Sequence, residues 1–175
     1  KDLKLNIIKE QSKSKINNNI IIKNISINSK LIKKNDVFFA IKGKRLDGNR
    51  FISEVFKKKS SLAIVNRLNK KYSLFKQVKV NNTLNFLTQC SSIFRENINA
   101  KIISITGSCG KTTLKEMIGS TLKKLSNTTY SPKSFNNKYG VPLSLFNLKE
   151  KDDFGVFEVG MDKKGEIDYL TKIIK

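Results

Sequence analysis

Apolar residues along this chain keep two spacings. Some stand in short continuous or alternating runs: IIIKNISI (20–27), DVFFAI (36–41), LAIV (62–65) and QVKV (77–80). Their β-branched and aromatic content predicts strands. Others return every three or four positions. RFISEVFKKK (50–59) puts Phe51, Ile52, Val55 and Phe56 at helical spacing, and residues 83–97 do the same with Leu84, Leu87, Cys90, Ile93 and Phe94. The loop KGKRLDGN (42–49), with its two glycines and charged tip, follows the second strand.

At Lys101 the pattern restarts. KIISIT predicts a strand, and KTTLKEMIGSTLKKL a helix with Leu114, Met117, Ile118, Thr121 and Leu122 facing inward. FGVFEVG (154–160) reads as another strand and GEIDYLTKII as the next helix. Strand, helix, strand, helix is the rhythm of a parallel sheet closed by crossovers. The predicted fold class is α/β: a small domain over residues 1–99, then the beginning of a P-loop-type parallel-sheet domain over residues 100–175, with the boundary near 98–100. The chain opens on Lys1 rather than Met and stops within an apparent helix, so it reads as a piece of a longer protein.

Composition narrows the function. An apolar content of 38% and a charged content of 28% fit a soluble globular chain. The net charge of +21 raises a nucleic-acid or anionic-membrane partner. Yet only four of the 35 basic residues are Arg, the residue suited to bidentate base contacts. The lysines are scattered among Asn and Ile, as in KINNNIIIKNISINSKLIKKN, and all three residues have A/T-rich codons. Genome bias accounts for such a composition, and no nucleic-acid partner is expected. The absence of His excludes His-centred catalysis within these residues. Cys90 and Cys109 form neither a metal spacing nor a disulfide framework, which fits a reducing, cytoplasmic setting. No apolar run has the length of a membrane span, so no membrane insertion is expected.

The chemistry concentrates in TGSCGKTT (106–113), between a predicted strand and a predicted helix. A helix starting at Lys111 exposes unpaired amides and the positive end of its dipole. Gly107 and Gly110 let backbone wrap an anion, with Ser108 and Cys109 between them. Lys111 adds a mobile charge for a β- or γ-phosphate, and Thr112, followed by Thr113, is placed to ligate Mg²⁺. The strict phosphate-loop pattern wants Gly where Ile105 stands, so this is a shortened form. The bland alternative is a glycine turn with an incidental Lys. Glu158 ends an otherwise apolar strand, where parallel sheets gather ligand-binding groups. It reads either as a metal ligand beside the phosphates or as a strand-end carboxylate facing solvent.

Four segments in order resemble the Mur ligases, ATP-dependent amide-forming enzymes of peptidoglycan precursor synthesis. They are TGSCGKTTLKEMI, SFNNKYGVPLSLFNL (134–148), FEVGMDKKGEI (157–167) and, upstream, SINSKLIKKNDVFFAIKGKRLDGNRFI. Within the family they are most similar to the member that joins D-alanyl-D-alanine to UDP-N-acetylmuramoyl-tripeptide. Asn28 and Lys30 depart from an acidic-Ser-Arg triplet and leave Ser29 matched. Lys133 and Ser134 stand where many relatives carry Gly-Asn, and Asp162 and Lys163 replace a frequent Asn-His pair. The resemblance implies ATP and Mg²⁺ as cofactors, a peptide carboxylate activated as an acyl phosphate, and a monomer. It assigns residues Gly107, Ser108, Cys109, Gly110, Lys111, Thr112 and Thr113 to the nucleotide, Lys111 and Glu158 to catalysis, and Thr112 and Glu158 to the metal. Asn136 and Asn137 are then candidates for orienting substrate or nucleotide, with helix capping as the alternative, and Ser29 for the sugar nucleotide. Three other readings remain: the related ligase that adds the third amino acid, a P-loop nucleic-acid-binding protein, and a binding fragment that by itself turns nothing over.

Overall fold

The computed structural model describes residues 2–17, 19–43, 45–161 and 163–175. They form two compact units, residues 1–90 and 91–175. Both are built on parallel sheets, which the sequence pattern predicts for the second unit.

In the first unit β1 (Ile25–Ser26), β2 (Val37–Phe39), β3 (Leu62–Val65) and β4 (Gln77–Lys79) lie side by side in that order, all parallel. β2 and β3 are buried along their whole length, which is why their sequences run apolar instead of alternating. On one face Phe38, Ala63 and Val65 pack with Ile52 and Val55 of α2 (Ile52–Lys57). The opposite face presents Phe39 to Phe86 of α3 (Thr83–Glu96), ring centroids 6.3 Å apart. Buried Thr83 ties the start of α3 to the sheet by donating to the Ala40 carbonyl.

Two expectations change here. The strand over 20–27 shrinks to two residues, because its first half is held otherwise. The Ile22 amide donates to the Asp2 carboxylate, the Lys23 amide to the Asn35 carbonyl and the Asn24 amide to the Asp36 carboxylate. The sequence pattern also missed α1 (Leu3–Ser12), capped by Asp2. Leu3, Leu5 and Ile7 alternate as a strand would, and only the buried set Leu5, Ile7 and Ile8 reveals the helix.

In the second unit β5 (Lys101–Ile105), β7 (Phe154–Glu158) and β6 (Thr128–Tyr130) are parallel, with β7 in the middle. Val156 and Phe157 of β7 are fully buried. Around the sheet run α4 (Lys111–Leu125), α5 (Gly140–Leu145) and α6 (Glu166–Ile174). β6 and α5 are too short for periodicity to find. Arg95, in the last turn of α3, donates to the carbonyls of Ile98, Ala100 and Ile174 and gathers the turn into β5.

The inward face of α4 is not the one its apolar residues predict. Leu114 and Met117 are 48% and 63% exposed and Thr121 is exposed, while Ile118 and Leu122 are half-buried. The buried stripe is Lys115 and Gly119. Gly119 sits on the Tyr130 ring so closely that a Cβ there would come within 2.5 Å of it. Close approach to β6, at a residue with no side chain, overrides the apolar periodicity. Among the described residues, no helix is long and apolar enough to cross a membrane.

Candidate functional site

The register of the second sheet pairs Ile105 with Glu158, so both strands end together and the loop 106–110 leaves β5 beside the carboxylate. Gly107 (φ 150°) and Gly110 (φ 73°) take backbone angles that a side chain disfavours. Gly110 is the N-cap of α4 and supplies no side-chain acceptor, so the loop leaves first-turn amides available to an anion. Ser108, Cys109 and Thr113 are exposed around this turn. Lys111 folds back across the loop, Nζ donating to the Gly107 carbonyl at 2.6 Å.

Glu158 is 1% exposed and bonded at both ends. Thr112 Oγ1 donates to Oε2 and Asn136 Nδ2 donates to Oε1, each at 2.7 Å. The Glu158 amide donates to Ser131 Oγ at 3.3 Å. Ionised, a carboxylate has about four lone-pair positions, so two donors leave acceptor capacity over. The Thr112 hydroxyl directs its proton at Glu158, which leaves its own lone pairs for a cation. A hydroxyl and a carboxylate are the hard oxygen donors that Mg²⁺ takes, usually with phosphate and water completing the shell. The donor set therefore fits Mg²⁺. Among the described residues no cluster of three or more His, Cys, Asp or Glu offers a protein-only metal cage.

The two asparagines separate. Asn136 reaches Glu158, and the Gly160 amide donates to its carbonyl at 2.7 Å. A Cβ on Gly160 would stand 2.9 Å from Asn136 Cγ, so that glycine makes room for the contact. Asn137 Oδ1 accepts the amides of Tyr139 and Gly140 at 3.0 Å each, closing the turn into α5. This is the bonding of the capping alternative. Asp162, noted with Lys163 as a departure from the family pattern, lies outside the described residues, as does Lys44 of the 42–49 loop.

Ser29 stands in the first unit, buried, its hydroxyl donating to Glu54 Oε2 at 3.0 Å. It begins a 3-10 turn capped by Asn28, whose side chain accepts the Lys30 amide. Asn caps as well as Asp, so replacing the triplet's acidic member keeps this local bond. The Lys58 ammonium bridges the Ser29 carbonyl and Glu54 Oε1. Bonds from Lys58 and then Ser29 hold the half-buried Glu54 carboxyl below its ordinary range. In the same unit Asp47, where the 42–49 loop closes, accepts from Asn49 and Arg67, which lowers its pKa, Asn49 contributing most. Among the described residues, two buried side-chain oxygens, Asn49 Oδ1 and Asn66 Oδ1, have no partner.

The sequence pattern passed over two residues beside the loop. Ser131 receives the Glu158 amide, and fully buried Lys115 bonds the backbone after β6. One Lys among so many carries no signal, and Ser131 gains its meaning only from the register.

Two family descriptions match the chain. The description "Mur ligase family, catalytic domain" matches residues 21–94, and "Mur ligase middle domain" matches residues 105–175. A UDP-N-acetylmuramoyl-tripeptide–D-alanyl-D-alanine ligase of Buchnera aphidicola subsp. Acyrthosiphon pisum is 38% identical over 88% of this chain and 33% of its own length. The protein of that name from Haemophilus influenzae is 32% identical over 90% of this chain and 35% of its own. Among solved structures, UDP-N-acetylmuramoylalanyl-D-glutamyl-2,6-diaminopimelate–D-alanyl-D-alanyl ligase from Acinetobacter baumannii superposes with a TM-score of 0.86 at 35% identity, over 97% of this chain and 39% of that one. The MurF ligase from Thermotoga maritima in complex with ADP superposes with a TM-score of 0.74 at 30% identity, over 90% of this chain and 36% of that one. The chain thus spans about a third of the length of the curated relatives it matches. With two matched family descriptions in order and a shared fold, the chain belongs to the Mur ligase family.

Proposed function

We propose that this chain carries the sugar-nucleotide domain and the ATP site of a ligase joining D-alanyl-D-alanine to UDP-N-acetylmuramoyl-tripeptide in the cytoplasm. The observation that carries this reading is the set Thr112–Glu158–Asn136 at the end of β7, beside a glycine turn that opens a helix. The names of the relatives support the acceptor and the added dipeptide, and the ADP complex of the Thermotoga maritima protein supports the nucleotide.

A peptide carboxylate resists attack by an amine because its charge repels the nucleophile. One carboxylate oxygen attacks the γ-phosphorus of ATP, the bond to the bridging oxygen breaks, and ADP leaves. The amine of D-alanyl-D-alanine then attacks the acyl carbon, loses a proton, and inorganic phosphate departs as the amide forms. The residues here position and neutralise rather than react. The amides of Gly107 to Lys111 cradle phosphate oxygens. Lys111, released from the Gly107 carbonyl, follows the β- and γ-phosphates. Thr112 and Glu158 would hold Mg²⁺, which supplies charge to offset that building on the phosphates. In the first unit, the buried oxygens of Asn49 and Asn66, after β2 and β3, offer acceptors to N–H groups of a base, and Ser29, after β1, is the further candidate contact to the sugar nucleotide.

Lys111→Ala in the full-length enzyme tests the assignment. ATP-dependent ligation is expected to fall by about 10³-fold or more, as for loss of a transition-state charge contact, with binding of the sugar nucleotide near normal by titration calorimetry. Unchanged turnover would refute the role.

A further inference from the structure

Lys115 lies one turn beyond Lys111 on α4 and is 0% exposed. A buried ammonium needs acceptors for all three of its protons. Lys115 has them: the Ser131 carbonyl at 2.7 Å, the Lys133 carbonyl at 2.6 Å and Glu116 Oε1 at 2.8 Å. Two of the three belong to the segment that follows β6. The same segment carries Ser131 Oγ, which accepts the Glu158 amide, and Asn136, which donates to Glu158 Oε1.

The backbone there is bent for the contact. Lys133 has φ 48°, a left-handed angle unfavourable for a residue with a side chain. That turn aims its carbonyl at the Lys115 ammonium. For packing alone, an apolar side chain of similar length would serve without the cost of desolvating a charge. What the ammonium adds is direction: it draws two particular carbonyls onto α4.

We propose that Lys115 is a positioning residue of the nucleotide site, holding the 131–136 turn against α4 so that Asn136 and Ser131 set Glu158 opposite Thr112. The inference rests on the reading of this loop as a magnesium–nucleotide site. Its effect belongs to the metal side of that site, because the turn touches Glu158 while the loop amides lie on α4's own chain.

The test is ADP binding to the full-length enzyme, with and without Mg²⁺, by titration calorimetry. Lys115→Met is expected to weaken Mg·ADP by roughly 10–100-fold, the usual consequence of losing an outer partner of a metal site. Metal-free ADP affinity should change by no more than about 3-fold, on the same reasoning. A merely structural lysine would not split the two. Should Lys115→Met fail to fold, two variants of exposed Lys133 decide the matter. Both delete the same charge, but Lys133→Gly keeps the left-handed turn and Mg·ADP affinity, whereas β-branched Lys133→Val expels it and weakens Mg·ADP. Folded Lys115→Met with wild-type magnesium dependence, or Gly and Val variants that bind alike, would overturn the proposal. Wild-type enzyme that binds no nucleotide would overturn the reading of the site itself, and the inference with it.

Discussion

At Glu158, burial and bonding act together on one carboxylate. It lies under two donors and beside a glycine loop that opens α4, so its charge matters more than its shape. Glu158→Gln keeps the shape and is expected to weaken Mg·ADP by about 10–100-fold with little change in melting temperature; equal affinity would remove Glu158 from the metal. The cysteines give a second comparison. Burial pushes the Cys90 thiol up to about 12, while Cys109 is exposed on the 106–110 loop. In native protein at pH 8, iodoacetamide should label Cys109 alone, more slowly with Mg·ATP present. Two labelled thiols would mean that the packing beneath α3 is open. Unfolded chain loses the Cys90 proton near pH 9.0, whereas folded chain keeps it to about 12. Stability from this group is therefore complete below pH 9 and declines as pH rises toward 12, which denaturant titrations across that window can follow.

For elements, the apolar pattern located most helices and strands but not always the face they bury. β3 spans the four residues its sequence outlined, because a strand covered on both sides must be apolar throughout. α4 was found and turned the wrong way. Its orientation is set by Thr112 at Glu158, Lys115 at the 131–133 carbonyls and Gly119 at Tyr130, three contacts with no apolar signature. Gly119→Ala should therefore destabilise the protein by about 1–3 kcal/mol through overpacking against the Tyr130 ring. Met117→Lys, on the exposed side, should stay within about 0.5 kcal/mol. Chemical denaturation of the two variants checks the face, and reversed magnitudes would restore the apolar reading. Thr112 and Glu158 were both legible as site candidates, 46 residues apart, but the bond joining them depends on β5 and β7 being neighbours in register.

Over the whole molecule, 35 basic residues face 14 acidic ones. The ion pairs seen are mostly local, two of them between residues one helical turn apart. Such a surface repels itself, and mobile anions screen that repulsion. Raising NaCl from about 10 to 200 mM should therefore raise the melting temperature. A fall would mean that attractive pairs outweigh the surplus of lysine.

The sequence by itself determined the α/β class, the parallel rhythm of the second unit, the glycine turn that opens α4 and the family resemblance. These depend on local facts: which residues suit a pleated buried strand, and which glycines allow a turn no other residue takes. Tertiary structure decided which side of α4 goes in, which asparagine reaches Glu158, and that Lys115 is buried. Those depend on the register and crossing of segments far apart in the chain. There, one close contact or one buried charge outweighs the preference of a few apolar side chains.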